Sequence, residues 1–236
     1  MIEYVAETGS TNSDLAERLR LGGRVAEGHW LVADRQISGR GRQGRDWFDG
    51  TGNFMGSTVV SIAQSDPPAP TLALLAGLAL YEVSAALLSD PAALSLKWPN
   101  DLLIGRAKAA GILLEAQSSA VVVGIGVNLA AAPNIAGRET TTFARFGPAP
   151  NRNNFAVRLA DQFATELDRW RTYGLAPLLR RWLGAAHPQG SALKVHDTDS
   201  AVIEGTFDGL ADDGSMILRL ADGSTRAIHA GDVVLA

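Results

Sequence analysis

A short basic stretch, residues 36–47, combines the residue types that bind phosphate or carboxylate groups. It reads Gln-Ile-Ser-Gly-Arg-Gly-Arg-Gln-Gly-Arg-Asp-Trp, with three glycines and three arginines. Glycines let the backbone reach left-handed dihedrals and approach a ligand closely, and guanidinium groups donate forked, permanently charged hydrogen bonds. Trp47 adds a flat face on which a base can stack. The stretch therefore predicts an anion-binding loop, and a solvated basic loop is the alternative.

The glycine spacing of this loop also matches the dinucleotide fingerprint G-x-G-x-x-G, at Gly39, Gly41 and Gly44. That fingerprint opens a helix and is followed about 20 residues later by an acidic residue that binds the ribose. Here the loop-like residues 46–53 follow, and residues 57–64 contain no carboxylate. A Walker A loop is excluded too, because Arg45 follows Gly44 where lysine is required. The loop predicts a phosphate site of another kind.

Two further segments carry polar residues at spacings that suit a pocket. Residues 96–101 (Leu-Lys-Trp-Pro-Asn-Asp) are followed seven residues later by Lys108. Asp101 and Lys108 straddle the tight connection between two predicted strands, so both can reach one pocket; a hairpin with Lys108 in solvent and Asp101 as a turn cap is the alternative. Residues 122–129 form an apolar strand broken by two glycines and ending near Asn128, which indicates either close approach of another group or a bulge.

Composition excludes several classes of site and protein. The 236 residues contain no cysteine, so thiol nucleophiles, disulfides and cysteine-ligated zinc are ruled out. The net charge of -4 argues against nonspecific nucleic-acid binding. The four histidines (29, 187, 196 and 229) show no metal-ligand spacing. The apolar stretch 71–88 is shorter than the roughly 20 residues of a membrane span, and no signal segment is recognisable, so we expect a cytoplasmic protein.

Hydrophobic periodicity predicts an α+β protein. Apolar and β-branched runs predict strands near residues 2–5, 30–33, 54–62, 93–98, 102–104, 111–115 and 120–127. Helical spacing predicts helices at 71–88, 151–173 and 175–183. The hydroxyls and Asn12 within residues 8–14 can cap a further helix that runs to about residue 21. We therefore expect a mixed, largely antiparallel sheet with helices packed on it.

The composition changes after residue 187. Strand-like runs at 192–195, 201–208, 216–220 and 225–229 alternate with turns rich in Asp, Ser and Gly, including residues 197–200. This pattern predicts a main domain, residues 1–187, and a small C-terminal β-barrel, residues 188–236. A β-barrel of this size is marginal alone, so we expect it to pack on the main domain.

Together these segments resemble the biotin protein ligase family over nearly the whole chain. Residues 10–12 (Ser-Thr-Asn) are similar to its S-T-N signature, 39–47 to its G-R-G-R-x-G-R-x-W loop, 97–115 to K-W-P-N-D…K-x-x-G-I-L-x-E, and 124–128 to G-I-G-x-N. The resemblance implies a class II synthetase-like catalytic domain and a C-terminal SH3-like β-barrel. Family members that double as repressors carry an N-terminal helix-turn-helix, whereas this sequence starts at the catalytic domain, so no DNA-binding role is implied.

The resemblance implies ATP-dependent activation of biotin and its transfer to a lysine of a carboxylase carrier domain, such as that of acetyl-CoA carboxylase, with Mg²⁺ accompanying ATP. It implies catalytic roles for Lys108, Arg42 and Asp101, with Asp101 either activating the carrier lysine or organising Mg²⁺. The expected biotin contacts are Ser10, Thr11, Asn12, Gln36, Gly39, Arg40, Lys108 and Gly111. The expected ATP or adenylate contacts are Arg40, Arg42, Arg45, Trp47, Lys97, Asn100 and Asn128.

Two other functions remain open at this point. A lipoate or octanoate ligase or transferase shares a related scaffold, and a noncatalytic biotin-responsive module would bind without reacting. An exposed sheet edge could also pair two subunits into a homodimer. We further expect the glycine-rich loop to be mobile when empty and to order over a bound adenylate, which would keep water from the mixed anhydride.

Overall fold

The computed structural model describes residues 1–196 and 202–235. Its larger sheet has seven strands: β1 (Ile2–Thr8), β2 (Trp30–Gln36), β3 (Phe54–Ser61), β4 (Leu94–Lys97), β5 (Asp101–Ile104), β6 (Ala107–Gln117) and β7 (Ala120–Val127). They are hydrogen-bonded in the order β1-β2-β3-β7-β6-β5-β4. Only the β1–β2 pair among them is parallel. The predicted mixed, largely antiparallel sheet is therefore confirmed.

Four helices pack on the two faces of this sheet: α1 (Thr11–Arg20), α2 (Leu72–Ala85), α3 (Arg152–Tyr173) and α4 (Leu175–Ala185). The almost wholly apolar α2 lies in the main core with α3 and α4. The amphipathic α1 covers the opposite face, where Leu15 packs with Leu31, Val59 and Val122 in a second, smaller core. None of the helices in residues 1–196 and 202–235 has the length and apolar content needed to cross a bilayer.

The C-terminal part of the chain forms a five-stranded antiparallel sheet in the order β11-β10-β9-β8-β12. Its strands are β8 (Ala192–His196), β9 (Val202–Leu210), β10 (Met216–Arg219), β11 (Thr225–Ile228) and β12 (Asp232–Leu235). This small β unit completes the predicted α+β fold class, and β12 is a strand that the sequence analysis did not predict. The turn predicted at residues 197–200 lies outside the described residues. The domain division at 187/188 stays a prediction.

The C-terminal sheet packs on the main body, as its small size predicts. The indole of Trp98 donates to the carbonyl of Gly214 at 3.1 Å, and Phe207, Met216 and Leu218 belong to the same core as α2. The strands β1 and β4 end the larger sheet, although Leu96 of β4 also bridges to Ala186. A side-by-side homodimer through such an edge stays a prediction.

The start of α1 differs from the prediction. The helix begins at Thr11, inside the segment predicted to cap it, and Ser10 is its N-cap residue but makes no capping hydrogen bond through its side chain. The side chains of Thr11 and Asn12 are buried and bond across to β2, β3 and β6. The predicted capping role of these polar residues is therefore wrong, because their hydrogen bonds go to the sheet below the helix.

Candidate active site

A pocket opens on the sheet face that α1 covers, beside the N-terminus of that helix. Twelve of the residues predicted to bind ligand line it: Ser10, Thr11, Asn12, Gln36, Arg40, Arg42, Arg45, Trp47, Asn100, Asp101, Lys108 and Gly111. A second cavity adjoins the first, and Trp47, Asp101 and Lys108 line both. Of the remaining predicted residues, Lys97 and Asn128 line this second cavity. The fold thus gathers segments that are distant in sequence into one continuous cleft.

Gly39 lines neither cavity. A Cβ at this position would lie 3.0 Å from the carbonyl oxygen of Trp47, so the glycine lies against the backbone of the basic loop. Direct contact between Gly39 and biotin is therefore not supported by its position. Its role is to let the two ends of the loop approach, since the backbone N–H of Trp47 donates to the Gly39 carbonyl at 2.9 Å.

A bulge in the β5–β6 hairpin places Asp101 and Lys108 on the same sheet face. Asp101 pairs with Gly111 and Leu102 with Ala110, but Leu103 pairs with Lys108, so Ala109 is an extra residue. In a regular ladder Lys108 would oppose Ile104. Because side chains alternate between the two faces of a strand, Lys108 would then point to the main core, on the face opposite the cleft. The bulge returns Lys108 to the face of Asp101. Its Nζ lies 2.6 Å from Asp101 Oδ1.

Asp101 holds two lysines in the cleft. Its carboxylate lies 2.9 Å from Lys97 Nζ as well as 2.6 Å from Lys108 Nζ, and Asp101 itself is only 9% exposed. Burial alone would raise the pKa of this carboxyl, but the two lysines outweigh burial and hold the pKa below its usual value. Asp101 is therefore an anion under ordinary conditions and a weak base.

The basic loop folds back on itself like a small hairpin. Arg40 bridges to Asp46, and the Gly41 N–H donates to the Arg45 carbonyl at 2.7 Å. A short 3-10 turn, Arg42–Gly44, closes the hairpin, with Gln43 at φ 57° and Gly44 at φ 71°. Gly44 adopts this left-handed backbone without steric cost, whereas Gln43 adopts it against the preference of residues that have a Cβ.

The three arginines of the loop point to different neighbours. Arg40 donates to Ser13 Oγ at 2.6 Å and lies 3.3 Å from Glu115. Arg42 donates to Asn100 Oδ1 at 3.0 Å and to the Gly231 carbonyl at 3.1 Å. Burial lowers the pKa of the Arg42 guanidinium, against the opposing effect of nearby carboxylates.

The C-terminal sheet contributes to the cleft through β12. Asp232 forms 2.7 Å ion pairs with both Arg45 and Arg138, and Lys97 Nζ donates to the Val233 carbonyl at 2.6 Å. Burial would raise the pKa of Asp232, but Arg45 and Arg138 lower it overall. Neither Asp232 nor Arg138 is among the residues predicted from the sequence, because a short strand without a motif gives no signal that it reaches the arginine loop.

Two glycines of β7 make room for the side chains of the cleft. A Cβ on Gly126 would lie 2.2 Å from Cε2 of Trp47, and one on Gly124 would lie 2.2 Å from Oδ1 of Asn12. The indole of Trp47 therefore lies directly against the sheet backbone. The glycines mark the close approach of other groups, which is one of the two interpretations that the sequence left open.

Several polar atoms of the cleft have no hydrogen-bond partner among the residues that the structure describes. They include the indole nitrogen of Trp47 and Oδ1 of Asn128. Asn128 is 3% exposed, and its Nδ2 donates to the Thr141 carbonyl at 3.1 Å. Buried polar atoms without partners are costly, so these atoms are candidates for contact with a ligand in the second cavity.

No group of three or more acidic or histidine side chains that could hold a metal ion occurs in residues 1–196 and 202–235. Three carboxylates line the cleft, those of Asp101, Glu139 and Asp232, and Asp101 and Asp232 are each paired with two cationic side chains. His187 is buried against the ring of Phe207, and His29 pairs with Glu3. The described residues therefore form no metal site of their own.

Comparison with known proteins gives consistent results along the chain. Residues 6–130 match the biotin/lipoate A/B protein ligase family, and residues 191–236 match the biotin protein ligase C-terminal domain. A biotin--[acetyl-CoA-carboxylase] ligase of Paracoccus denitrificans is 38% identical over 91% of this chain and 92% of its own. The enzyme of that name from Mycobacterium tuberculosis is 34% identical over 99% of this chain and 88% of its own.

The fold is also similar to a solved structure. The biotin protein ligase from Aquifex aeolicus, in complex with biotin and ATP, superposes with a TM-score of 0.88 and covers 100% of this chain and 99% of its own. Its sequence is 24% identical, so this similarity concerns the fold.

Proposed function

The chain belongs to the biotin protein ligase family, and we propose that it is an ATP-dependent ligase that converts biotin to biotinyl-5'-AMP and transfers biotin to a lysine of a carboxylase carrier domain. One observation carries the proposal: cations from four separate parts of the chain converge on one cleft, represented by Lys97, Lys108, Arg42 and Arg138. Because the protein has a net charge of -4, this local concentration of cationic side chains indicates that anionic ligands bind in the cleft.

The first reaction joins two anions. An oxygen of the biotin carboxylate attacks the α-phosphorus of ATP, the bond to the bridging oxygen breaks, and pyrophosphate leaves. Fixed positive charge is required where negative charge gathers. We assign contact with both the biotin carboxylate and the α-phosphate to Lys108, because its Nζ faces both cavities from the bulged hairpin. Arg42 and Arg45 are assigned to the phosphates.

The second reaction moves biotin to the carrier. The amine of the carrier lysine attacks the carbonyl of the mixed anhydride, AMP leaves, and the amine loses a proton. The depressed pKa of Asp101 makes it a poor proton acceptor. We therefore assign Asp101 to positioning Lys108 and Lys97 rather than to activating the carrier lysine.

The ring of biotin is assigned to the polar side of the first cavity. Four buried polar residues lie there: Ser10, Thr11, Asn12 and Gln36. A polar ring that is buried on binding needs hydrogen-bond partners for its donors and acceptors, and these residues can supply them. Gly111 and Arg40 border the same cavity. Adenine is assigned to the second cavity, beside Trp47 and the unpartnered Asn128 Oδ1, with Asn100 and Lys97 towards the phosphates.

We propose that Mg²⁺ arrives with ATP and is held through phosphate oxygens. Two of the carboxylates that line the cleft, Asp101 and Asp232, are already paired with cations, and Mg²⁺ commonly takes few protein ligands beside phosphates and water. Because the reaction consumes ATP, we also propose a cytoplasmic location for the protein.

One experiment distinguishes the proposed biotin ligase from the two alternative functions. The chain is incubated with ATP, Mg²⁺ and an unmodified carrier domain, together with biotin, lipoate or octanoate, and the carrier is weighed by mass spectrometry. We expect a mass increase of one biotinyl group at one lysine. An increase with lipoate or octanoate alone would establish the acyl ligase. Thermal stabilisation by biotin without any labelling would establish a binding module.

A further inference from the structure

A chain of four buried oxygen atoms lines the first cavity. Gln36 Oε1 lies 2.9 Å from Thr11 Oγ1, Thr11 Oγ1 lies 2.7 Å from Ser57 Oγ, and Ser57 Oγ lies 2.6 Å from Asn12 Oδ1. All four side chains line the cavity, and none is more than 7% exposed. Ser57 lies on β3 and belongs to none of the sequence motifs. These three contacts connect the four oxygen atoms in one continuous row.

The amide groups at both ends present oxygen to this chain. The backbone N–H of Thr11 donates to Gln36 Oε1 at 2.8 Å, which fixes the orientation of the Gln36 amide. Nδ2 of Asn12 donates to Glu115 Oε2 at 2.8 Å. A carboxylate only accepts hydrogen bonds, so Asn12 must turn its nitrogen to Glu115 and its oxygen to Ser57. The chain therefore begins and ends with an acceptor.

The three contacts share only two hydrogens. Thr11 and Ser57 each have one hydroxyl hydrogen, and the two amide oxygens have none. Whichever way the hydroxyls turn, one contact brings lone pairs together without a hydrogen between them. The Thr11 hydroxyl donates to Gln36 Oε1 and the Ser57 hydroxyl donates to Asn12 Oδ1, so both hydrogens are used at the two ends of the row. Thr11 Oγ1 and Ser57 Oγ, 2.7 Å apart, then face each other without a hydrogen between them, and each has acceptor capacity left.

We propose that this missing hydrogen is supplied by an N–H group of the ligand, so that Ser57 and Glu115 make the cavity selective for a ring that bears N–H, such as the cyclic urea of biotin. This inference rests on the proposed function and deepens it. A long acyl chain has no N–H and would leave the buried lone pairs opposed. Ser57 takes part in the chain directly, and Glu115 is a positioning residue that acts through Asn12.

Two substitutions should remove the deficit in different ways. In Ser57→Ala one oxygen is lost from the middle, so the Thr11 hydroxyl can donate to Gln36 and no contact lacks a hydrogen. In Glu115→Gln the new amide can turn either its oxygen or its nitrogen to Asn12. Asn12 can then turn its own nitrogen to Ser57, which adds the third hydrogen. Glu115→Gln is nearly the same size as the native side chain.

The test compares biotin with an analogue whose cyclic urea is replaced by a cyclic carbonate, which keeps the ring and carbonyl but has no N–H. Adenylate formation is followed by pyrophosphate exchange at saturating ATP, and kcat/KM is measured for both compounds. The wild-type chain should prefer biotin by about a hundredfold or more. Both variants should reduce that preference by about tenfold, with the KM for ATP nearly unchanged. Thermal unfolding checks that each variant folds.

Ser13→Ala is the matched control. Ser13 supports Arg40 at 2.6 Å, as Glu115 does at 3.3 Å, but it takes no part in the oxygen chain. This variant should keep the wild-type preference. If Ser57→Ala and Glu115→Gln keep it too, or if wild type accepts the carbonate as well as biotin, the inference is overturned while the proposed function stands. A wild-type chain that forms no biotinyl-adenylate would overturn both.

Discussion

Lys108 Nζ lies 2.6 Å from Asp101 Oδ1 because the extra residue Ala109 turns Lys108 to the cleft side of the sheet. Lys97 Nζ holds the same carboxylate at 2.9 Å. This arrangement keeps a buried anion compensated by two cations, one of which also faces the place proposed for the reacting phosphate.

Lys108→Ala should reduce adenylate formation much more than it reduces the stability of the fold. Asp101 keeps Lys97 in this variant, so its charge is not left unpaired. Loss of one fixed cation from the transition state should lower biotin-dependent pyrophosphate exchange by about 10²- to 10³-fold. Lys194→Ala, on an exposed β8 position, is the control and should keep full activity. Unchanged exchange in Lys108→Ala would remove Lys108 from the mechanism.

Arg42→Gly should let the adenylate escape before transfer. Arg42 links the basic loop to Asn100 and to the Gly231 carbonyl, so its loss frees the loop on both sides. The released mixed anhydride should label lysines of bystander proteins, which streptavidin blotting detects. Arg24→Gly, at an exposed loop position outside the cleft, is the control. Labelling that stays confined to the carrier would show that Arg42 does not retain the adenylate.

Asp232→Asn should weaken ATP binding selectively. The substitution removes the charge that pairs with Arg45 and Arg138, so both guanidinium groups lose their common anchor. We expect the KM for ATP to rise by about tenfold, roughly 1.4 kcal/mol, with the KM for biotin little changed. Asp222→Asn, in another turn of the C-terminal sheet, alters only the two bonds that Asp222 Oδ1 accepts from Ser224 and serves as the control. Equal behaviour of the two variants would contradict this role of Asp232.

Gly126→Ala should displace Trp47. The added methyl group would lie 2.2 Å from Cε2 of the indole and 2.4 Å from Cζ2, so the ring must move away from the sheet. We expect loss of adenylate formation and a shift in tryptophan fluorescence. Gly184→Ala has no atom within 4 Å of the added carbon and lies inside α4, where it should stabilise the helix by up to about 1 kcal/mol. Full activity of Gly126→Ala would refute the packing argument.

Acid should remove the stabilisation that Glu3 provides. A hydrogen bond from Arg18, aided by His29 and opposed by burial, lowers the pKa of Glu3 from 4.5 to about 2. A depressed pKa stabilises the fold above the unfolded value and loses its effect as the pH falls through the folded value. The free energy of unfolding of wild type and Glu3→Gln should therefore differ most above pH 4.5 and converge near pH 2. Urea titrations across this range check the prediction, and a constant difference would refute it.

Local pattern was enough to predict most of the fold. Apolar alternation and helical spacing predict the strands of the larger sheet and all four of its helices to within a few residues, because each element buries one continuous apolar face. The family and its class of reaction also followed from motif residues. The strand β12 escaped because Asp232–Leu235 is only four residues long and has no distinctive pattern.

The site could be predicted only where its residues carry a motif. Asp101 and Lys108 were expected in one pocket from the hairpin between them, but the bulge that turns Lys108 to that pocket depends on pairing between strands. Asp232 and Ser57 meet the motif residues through contacts that span 187 and 46 positions in the chain. Such long-range contacts leave no local signal, and they decide the hydrogen bonding of both ends of the cleft.

Because the arginine loop is anchored by β12, the cleft can be completed only after the C-terminal strand has been synthesised. Arg45 is synthesised 187 residues before Asp232, so a ribosome making about 5–20 residues per second leaves the loop without its anchor for roughly 10–40 s. A nascent chain can complete the larger sheet during that time, but its nucleotide-binding cations are secured only when β12 emerges and docks. Completion of the cleft is thus coupled to synthesis of the C-terminal sheet.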